Sequence, residues 1–256
     1  MKIITVTLSL LLVLLYSQVS AQFARFPLNG MIEFEKKINM HALIKQNINK
    51  RNESFMTQAF ENYKKTQPQF KVSKSTLSFS KDKSLFTPIE SNDAPSFFSS
   101  HPAVMQINTV FNDLAANTSS IQKTVFEQTF IVKDTTRNIK WKITDENREI
   151  AGYSCRRANA IIMDSIYVVA FYTDQIPVSS GPETFSGLPG MILGLALPHE
   201  HVTWFATSVT DKPLEKPLSP PVKGKLTDNK GLRSTLETAL KQYGEYLQTA
   251  LKIYTL

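Results

Sequence analysis

Apolar and polar residues change period several times along the chain. From Gly30 to Ile38 (GMIEFEKKI) they alternate, the two-residue period of a strand with one wet face. Between Ala42 and Lys65 the chain is polar, but Phe55, Ala59, Phe60 and Tyr63 share one helical face, which predicts a helix from Ser54 to Lys65. The strand pattern returns over Gln69 to Ser80 and Ser84 to Ile89, joined by Lys81-Asp82-Lys83, a link of hairpin length. Ser, Pro and Asp then crowd Glu90 to His101, predicting a loop over about 90–103.

From Lys123 the strand signals run on without a break. Thr124 to Lys133 is rich in β-branched and aromatic residues and reads as one strand. NIKWKIT, from Asn138, alternates with Ile139, Trp141 and Ile143 on one face. Asp145-Glu146-Asn147-Arg148 supplies a turn, and Glu149 to Ile162 returns as a long strand. SIYVVAFYT, from Ser165, is apolar throughout its middle, as in a strand covered on both faces. Met191 to Leu197 and Val202 to Val209 form a further pair about Pro198 to His201. Strands linked by short turns, with no regular helix between them, predict an antiparallel meander. After a Pro- and Lys-rich loop within 212–230, Leu232, Leu236, Leu240, Tyr243, Leu247, Leu251 and Tyr254 recur every three or four residues. That stripe predicts an amphipathic helix over 231–254 lying against the sheet; a membrane-surface or partner-binding helix would carry the same stripe.

The first residues add a compartment. Lys2 precedes an apolar run from Ile3 to about Tyr16, and Val19-Ser20-Ala21 supplies small residues for cleavage. This is the layout of a secretory signal cut after Ala21, and the run is shorter than the ~20 residues that span a bilayer. Removing residues 1–21 leaves 256 − 21 = 235 residues, which suits one domain over 22–256. No second stretch there is apolar enough to span a membrane. Without Lys2 the formal charge falls from +7 to +6. The basic residues are scattered, as at Lys36-Lys37, Lys64-Lys65 and Arg156-Arg157, with no stripe or motif of a nucleic-acid binder. Cys155 is the only cysteine, so an exported chain has no internal disulfide and relies on packing. Its setting, GYSCRRA in a strand, favours a buried thiol.

At this point the residues carry a resemblance. Trp141, Thr144-Asp145-Glu146, Ile150-x-Gly152-Tyr153-x-Cys155, Ala158, Tyr172-Thr173, Ile176-Pro177, Gly181-Pro182, Phe185 and Gly187-Leu188-Pro189-Gly190 stand in order over Trp141 to Leu197. The stretch resembles the GLPGLI family of exported Gram-negative envelope proteins, with Met191 in place of the family's Leu and Phe171 where members often carry Trp. The resemblance implies secretion and a mainly β architecture, a curved antiparallel sheet akin to the half-barrels of periplasmic lipoprotein carriers. It implies no reaction, because the family is defined by sequence.

The motif itself reads as architecture. Gln175 to Pro189 joins two apolar strands and is crowded with proline and glycine. Pro189-Gly190 suits the two central positions of a type II turn. Gly181, Pro182, Phe185, Gly187, Leu188, Pro189 and Gly190 therefore form either a rigid corner or a cleft rim. His199-Glu200-His201, on an extended chain, would point both imidazoles to one face as a metal clip. Thr203 breaks the HExxH spacing, so a third ligand would have to come from Cys155, His101 or His41. Nucleophile elbows, phosphate loops and dinucleotide fingerprints are absent. The expectation is thus a periplasmic or secreted, non-enzymatic binding or carrier protein for an apolar or peptide-like ligand or an envelope partner, with no cofactor. Two alternatives are a metal-handling protein using His199, His201 and Cys155, and an envelope enzyme with the Cys155 thiol as nucleophile.

Overall fold

The computed structural model describes residues 26–90 and 97–256; the expected leader, 1–21, lies outside them, as does part of the 90–103 loop. The strands are β1 (Gly30–Asn39), β2 (Phe70–Phe79), β3 (Lys83–Ile89), β4 (Asn108–Asp113), β5 (Thr118–Val125), β6 (Gln128–Thr135), β7 (Lys142–Ile150), β8 (Tyr153–Ile162), β9 (Ile166–Thr173), β10 (Met191–Leu197), β11 (Val202–Thr210) and β12 (Lys225–Thr227). The helices are α1 (Met40–Gln46), α2 (Glu53–Thr66), α3 (Pro102–Met105), α4 (Asn229–Ala239) and α5 (Glu245–Tyr254). No helix among the described residues is long and apolar enough to cross a membrane.

All twelve strands join one sheet, in the order β12-β6-β5-β4-β3-β2-β1-β11-β10-β9-β8-β7. Neighbours are antiparallel, apart from β12, which runs parallel to β6. The first six strands meander outward from the centre. The chain then passes to the far edge and meanders back, until β11 pairs with β1.

This topology forces curvature. Ten strand-to-strand steps separate β6 from β7, about 48 Å along a flat sheet at ~4.8 Å per step. The link from Thr135 to Lys142 reaches only about 25 Å at full stretch. The sheet therefore curls until β6 and β7 approach each other. On the far side, the Arg148 guanidinium of β7 lies 4.9 Å from the Phe205 ring of β11, with three strands between them in the sheet. The expected mainly β, curved antiparallel architecture is what forms.

The concavity is filled largely by the protein itself. Ile176, Val178, Phe185 and Leu188, between β9 and β10, are buried, as are Met40, Leu43 and Ile44 of α1 and Ala250, Leu251, Ile253 and Tyr254 of α5. The helices begin where side chains can cap them: Asn39 accepts from the Ala42 N–H (3.1 Å) at α1, and Asp228 from the Gly231 N–H (2.7 Å) at α4.

Several boundaries differ from expectation, each for a local reason. The single strand over 124–133 is a hairpin, because Phe126, at φ 54°, reverses the chain between β5 and β6. The turn expected at Asp145–Arg148 is a register shift within β7, between Ile143 and Asn147. The reversal comes at Ala151-Gly152, both with positive φ. The C-terminal helix is two helices, broken at Gly244 (φ 55°), which leaves Tyr243 58% exposed rather than on the buried stripe. In α2 Phe60 and Tyr63 are buried, but Phe55 is 60% exposed.

Candidate functional site

Two parts of the β9–β10 connection behave differently. The Gly187–Gly190 corner packs on the sheet edge. The Trp141 indole N–H donates to the Ser186 carbonyl (2.9 Å), and the Gly187 N–H donates to Ser179 Oγ (3.1 Å). Gly187 has φ 94°. Gly190, at φ 155°, is far from the ~80° of a type II turn. A γ-turn forms instead, its Gly190 N–H donating to the Leu188 carbonyl (2.8 Å). A β-carbon at Gly190 would stand 2.7 Å from the Thr173 carbonyl carbon, and one at Gly181 2.7 Å from Ile192 Cβ. Phe185 and Leu188 anchor the corner in the core, beside the buried Pro182.

Four residues before that corner, the same connection drives Glu183 into the interior. Its backbone takes φ 54°, and its carboxylate accepts a hydrogen bond from Asn108 Nδ2 of β4 (2.9 Å). Around it stand residues from the inward faces of several strands. Lys36 of β1 and Trp204 of β11 are cross-strand partners, with the Lys36 ammonium 5.3 Å from the indole ring centroid. Lys36 Nζ donates to the carbonyls of Ala103 (3.3 Å) and Gln106 (3.5 Å). Lys123 of β5, opposite Asn108, donates to the Tyr254 carbonyl (2.7 Å).

Burial and mutual charge set the electrostatics. Desolvation pushes the Glu183 carboxyl above its ordinary value, opposed by Lys36, the Asn108 hydrogen bond and Lys123. Desolvation lowers Lys36, opposed by Glu183. Lys123 falls to about 8, through desolvation first and the nearby Arg137 charge as well, with Glu183 opposing.

Lys36, Gln106, Asn108, Glu183 and Trp204 line two adjoining cavities of about 50 and 250 Å³. Three of these residues hold a buried polar atom with no protein partner: Gln106 Nε2, Asn108 Oδ1 and Trp204 Nε1. They are only 8%, 4% and 5% exposed, so each atom costs about 1–3 kcal/mol until something bonds it. Two donors and one acceptor thus line the same cavities as the Lys36 ammonium and the Glu183 carboxylate.

The other residues singled out by sequence stand apart. Cys155 is fully buried on β8, and desolvation pushes its thiol up to about 12; a thiolate nucleophile does not form there near neutral pH. Pro198–Glu200 is a 3-10 turn and His201 is left-handed at φ 56°, so the extended geometry that would aim both imidazoles one way is absent. The Lys252 ammonium pairs with the Glu200 carboxylate. Cys155 lies level with the Met191 end of β10, and the histidine turn follows its Leu197 end, about 20 Å away along the strand. His101 caps α3, its Nδ1 accepting from the Ala103 N–H (3.2 Å), and burial lowers it to about 4. His41 packs edge-on against Phe60 and Tyr63. Among the described residues no three His, Cys, Asp or Glu side chains are placed to hold a metal.

Sequence reasoning passed over Lys36, Lys123 and Glu183, although each left a mark. Lys36 breaks the apolar row Ile32, Phe34, Ile38, and Glu183 is the one acid between Gln175 and Pro189, a stretch crowded with Pro and Gly.

The carboxylate that organises this interior and the corner that follows it lie on one connection, Asp174 to Gly190, and known sequences match there. A family model described as "Protein of unknown function (Porph_ging)" matches residues 161–194. No curated protein matches the chain. Two crystal forms of PNGF-II, in the P21 and C2 space groups, are similar in structure, each at TM-score 0.51, with 16% and 14% sequence identity. Each alignment covers 80% of this chain and 32% of PNGF-II. The chain spans about a third of that protein's length, and at such identity the likeness concerns the fold alone.

Proposed function

We propose that the chain is an exported envelope protein of the GLPGLI type that binds a small polar ligand inside its curled sheet, without catalysing a reaction. One observation carries this reading: Gln106 Nε2, Asn108 Oδ1 and Trp204 Nε1, all buried and unpartnered, surround cavities shared with the Lys36–Glu183 charge pair. Buried polar atoms in native proteins have partners, and a cavity of about 50 Å³ is large enough for water or a few ligand atoms. An apolar or peptide-like guest of the size a lipid carrier holds would have to displace α5 and the Ile176–Leu188 plug, so the binding reading narrows to something small and polar. Export is supported by the N-terminal signal pattern and by the family resemblance. Thermal-shift screening of the purified mature chain against small polar solutes tests the reading, followed by a crystal structure of any stabilised complex. A ligand bonded to Gln106, Asn108 or Trp204 supports it. Ordered water alone in the cavity, with no solute shifting Tm, refutes it.

A further inference from the structure

Resting on that reading, we infer that the interior site takes a small zwitterion: a free α-amino acid with a short apolar side chain, or a comparable ammonium carboxylate. The site has two chemically distinct poles. At one, the Lys36 ammonium is held by the Gln106 carbonyl (3.5 Å) and lies 5.3 Å from the Trp204 ring, and both of those residues offer an unused N–H. Lys36 has three N–H donors and spends two on the Ala103 and Gln106 carbonyls. This pole offers donors to a carboxylate. At the other, Glu183 Oε2 is bonded to Asn108 Nδ2 (2.9 Å), and Asn108 Oδ1 is an unused acceptor. Among the described residues Glu183 Oε1 accepts no hydrogen bond. That pole offers acceptors to an ammonium.

Charge balance selects among ligand classes. Lys36 and Glu183 oppose each other at the cavity wall, and Lys123 is spent on the Tyr254 carbonyl outside both cavities, so a lone anion or cation would bring an unmatched charge there. A neutral polyol satisfies the orphan atoms but gains little from the two charges. A zwitterion laid antiparallel to the Lys36–Glu183 pair satisfies both poles and adds no net charge. The two cavities together reach the lower end of the ~300–1,000 Å³ typical of small-molecule sites. Leu43, Ala103, Phe185, Leu197 and Val202 line the smaller one and suit a short aliphatic side chain.

Isothermal calorimetry on the mature chain tests this with glycine, L-alanine, L-valine, acetate, methylammonium and glycerol as probes. The expected result is saturable binding of L-alanine or L-valine, with acetate and methylammonium at least ~10-fold weaker. Lys36→Met and Glu183→Gln should each weaken amino-acid binding ~10-fold or more; because either can disturb folding, Trp204→Phe and Gln106→Leu serve as milder variants. Each of these removes a single unpartnered donor, so each should weaken binding of the amino acid while circular dichroism stays native. Amino-acid binding unaffected by Trp204→Phe and Gln106→Leu would place it elsewhere and overturn the inference. Saturable glycerol binding without amino-acid binding overturns the zwitterion but leaves the small-polar-ligand reading standing. If none of the probes binds and a crystal structure at high amino-acid concentration shows water only, both fall.

Discussion

The buried Lys123 ammonium makes stability depend on pH in a calculable way. Its pKa falls from an ordinary 10.5 to about 8, mainly by desolvation. The charged form is therefore disfavoured in the folded state by about 3 kcal/mol. Below pH 8 the amine is protonated in both states, and the folded protein bears that full cost. Between about 8 and 10.5 the unfolded chain binds more protons, so stability rises with pH, at most by ~1.4 kcal/mol per unit from this group. Above about 10.5 the cost is gone. Lys36, also lowered by burial, contributes with the same sign. Tyr254, raised to about 12, works the other way above pH 10. Comparison with Lys123→Met cancels these common contributions. That variant escapes the desolvation cost but leaves the Tyr254 carbonyl without its 2.7 Å donor, a loss of about 1–3 kcal/mol. The assay is urea unfolding at pH 7, 8, 9 and 10, followed by circular dichroism. The free-energy difference between variant and parent should shift toward the parent by about 2–3 kcal/mol from pH 7 to 10. A difference that stays constant over this range would show that Lys123 is not held in a desolvated site, and the interior electrostatics derived from it would be wrong.

Three further outcomes follow from the same geometry. Glu183→Gln removes the charge that opposes desolvation of Lys36 and Lys123, and a double-mutant cycle with Lys36→Met in urea should show a coupling of about 0.5–3 kcal/mol. Gly187→Ala, whose β-carbon comes no closer than 3.6 Å to the Trp141 side chain, pays mainly left-handed strain, about 1–2 kcal/mol. Gly190→Ala adds a clash with the Thr173 carbonyl and should cost clearly more; equal losses of Tm would remove the steric account of this corner. Cys155 should resist a maleimide probe in the native protein at pH 7–8 and label fully in urea, since its thiol is pushed up to about 12 and buried. Rapid native labelling would reopen the thiol-enzyme alternative.

Elements whose signal was local and whose neighbours repeated it were legible in the sequence. β1, β9, β10 and α2 fall within about two residues of their expected spans because each carries a full period of alternating or helical apolar positions. Reversals were harder. Phe126 and Ala151 turn the chain in left-handed conformations that their residue types disfavour. Composition therefore pointed to the acidic stretch Asp145–Arg148, which the structure spends on a register shift. The sequential pairs of the meander were legible, but its closure was not, since pairing of β11 with β1 joins residues more than 160 positions apart, and no local pattern encodes that.

The interior site shows why a conspicuous motif can mislead about where chemistry lies. Gly187–Gly190 stands out because backbone conformations and close approaches there exclude side chains, and that requirement is visible in a single sequence. Lys36, Asn108, Glu183 and Trp204 arrive from four separate segments, and each alone looks like an ordinary polar residue or a core aromatic. Parity is the recoverable signal. Lys36 continues the inward row of β1, and Lys123 that of Ile121 and Val125 on β5. A lysine on the apolar side of a strand must have its charge met inside the fold, because burying it alone is prohibitive. Two such lysines on different strands of one curled sheet call for a buried acid, and Glu183, the one acid between Gln175 and Pro189, is where to look for it. The corner is then explained by what precedes it: the rigid Gly187–Gly190 turn and the Trp141 anchor hold in place the segment that carries Glu183 into the cavity.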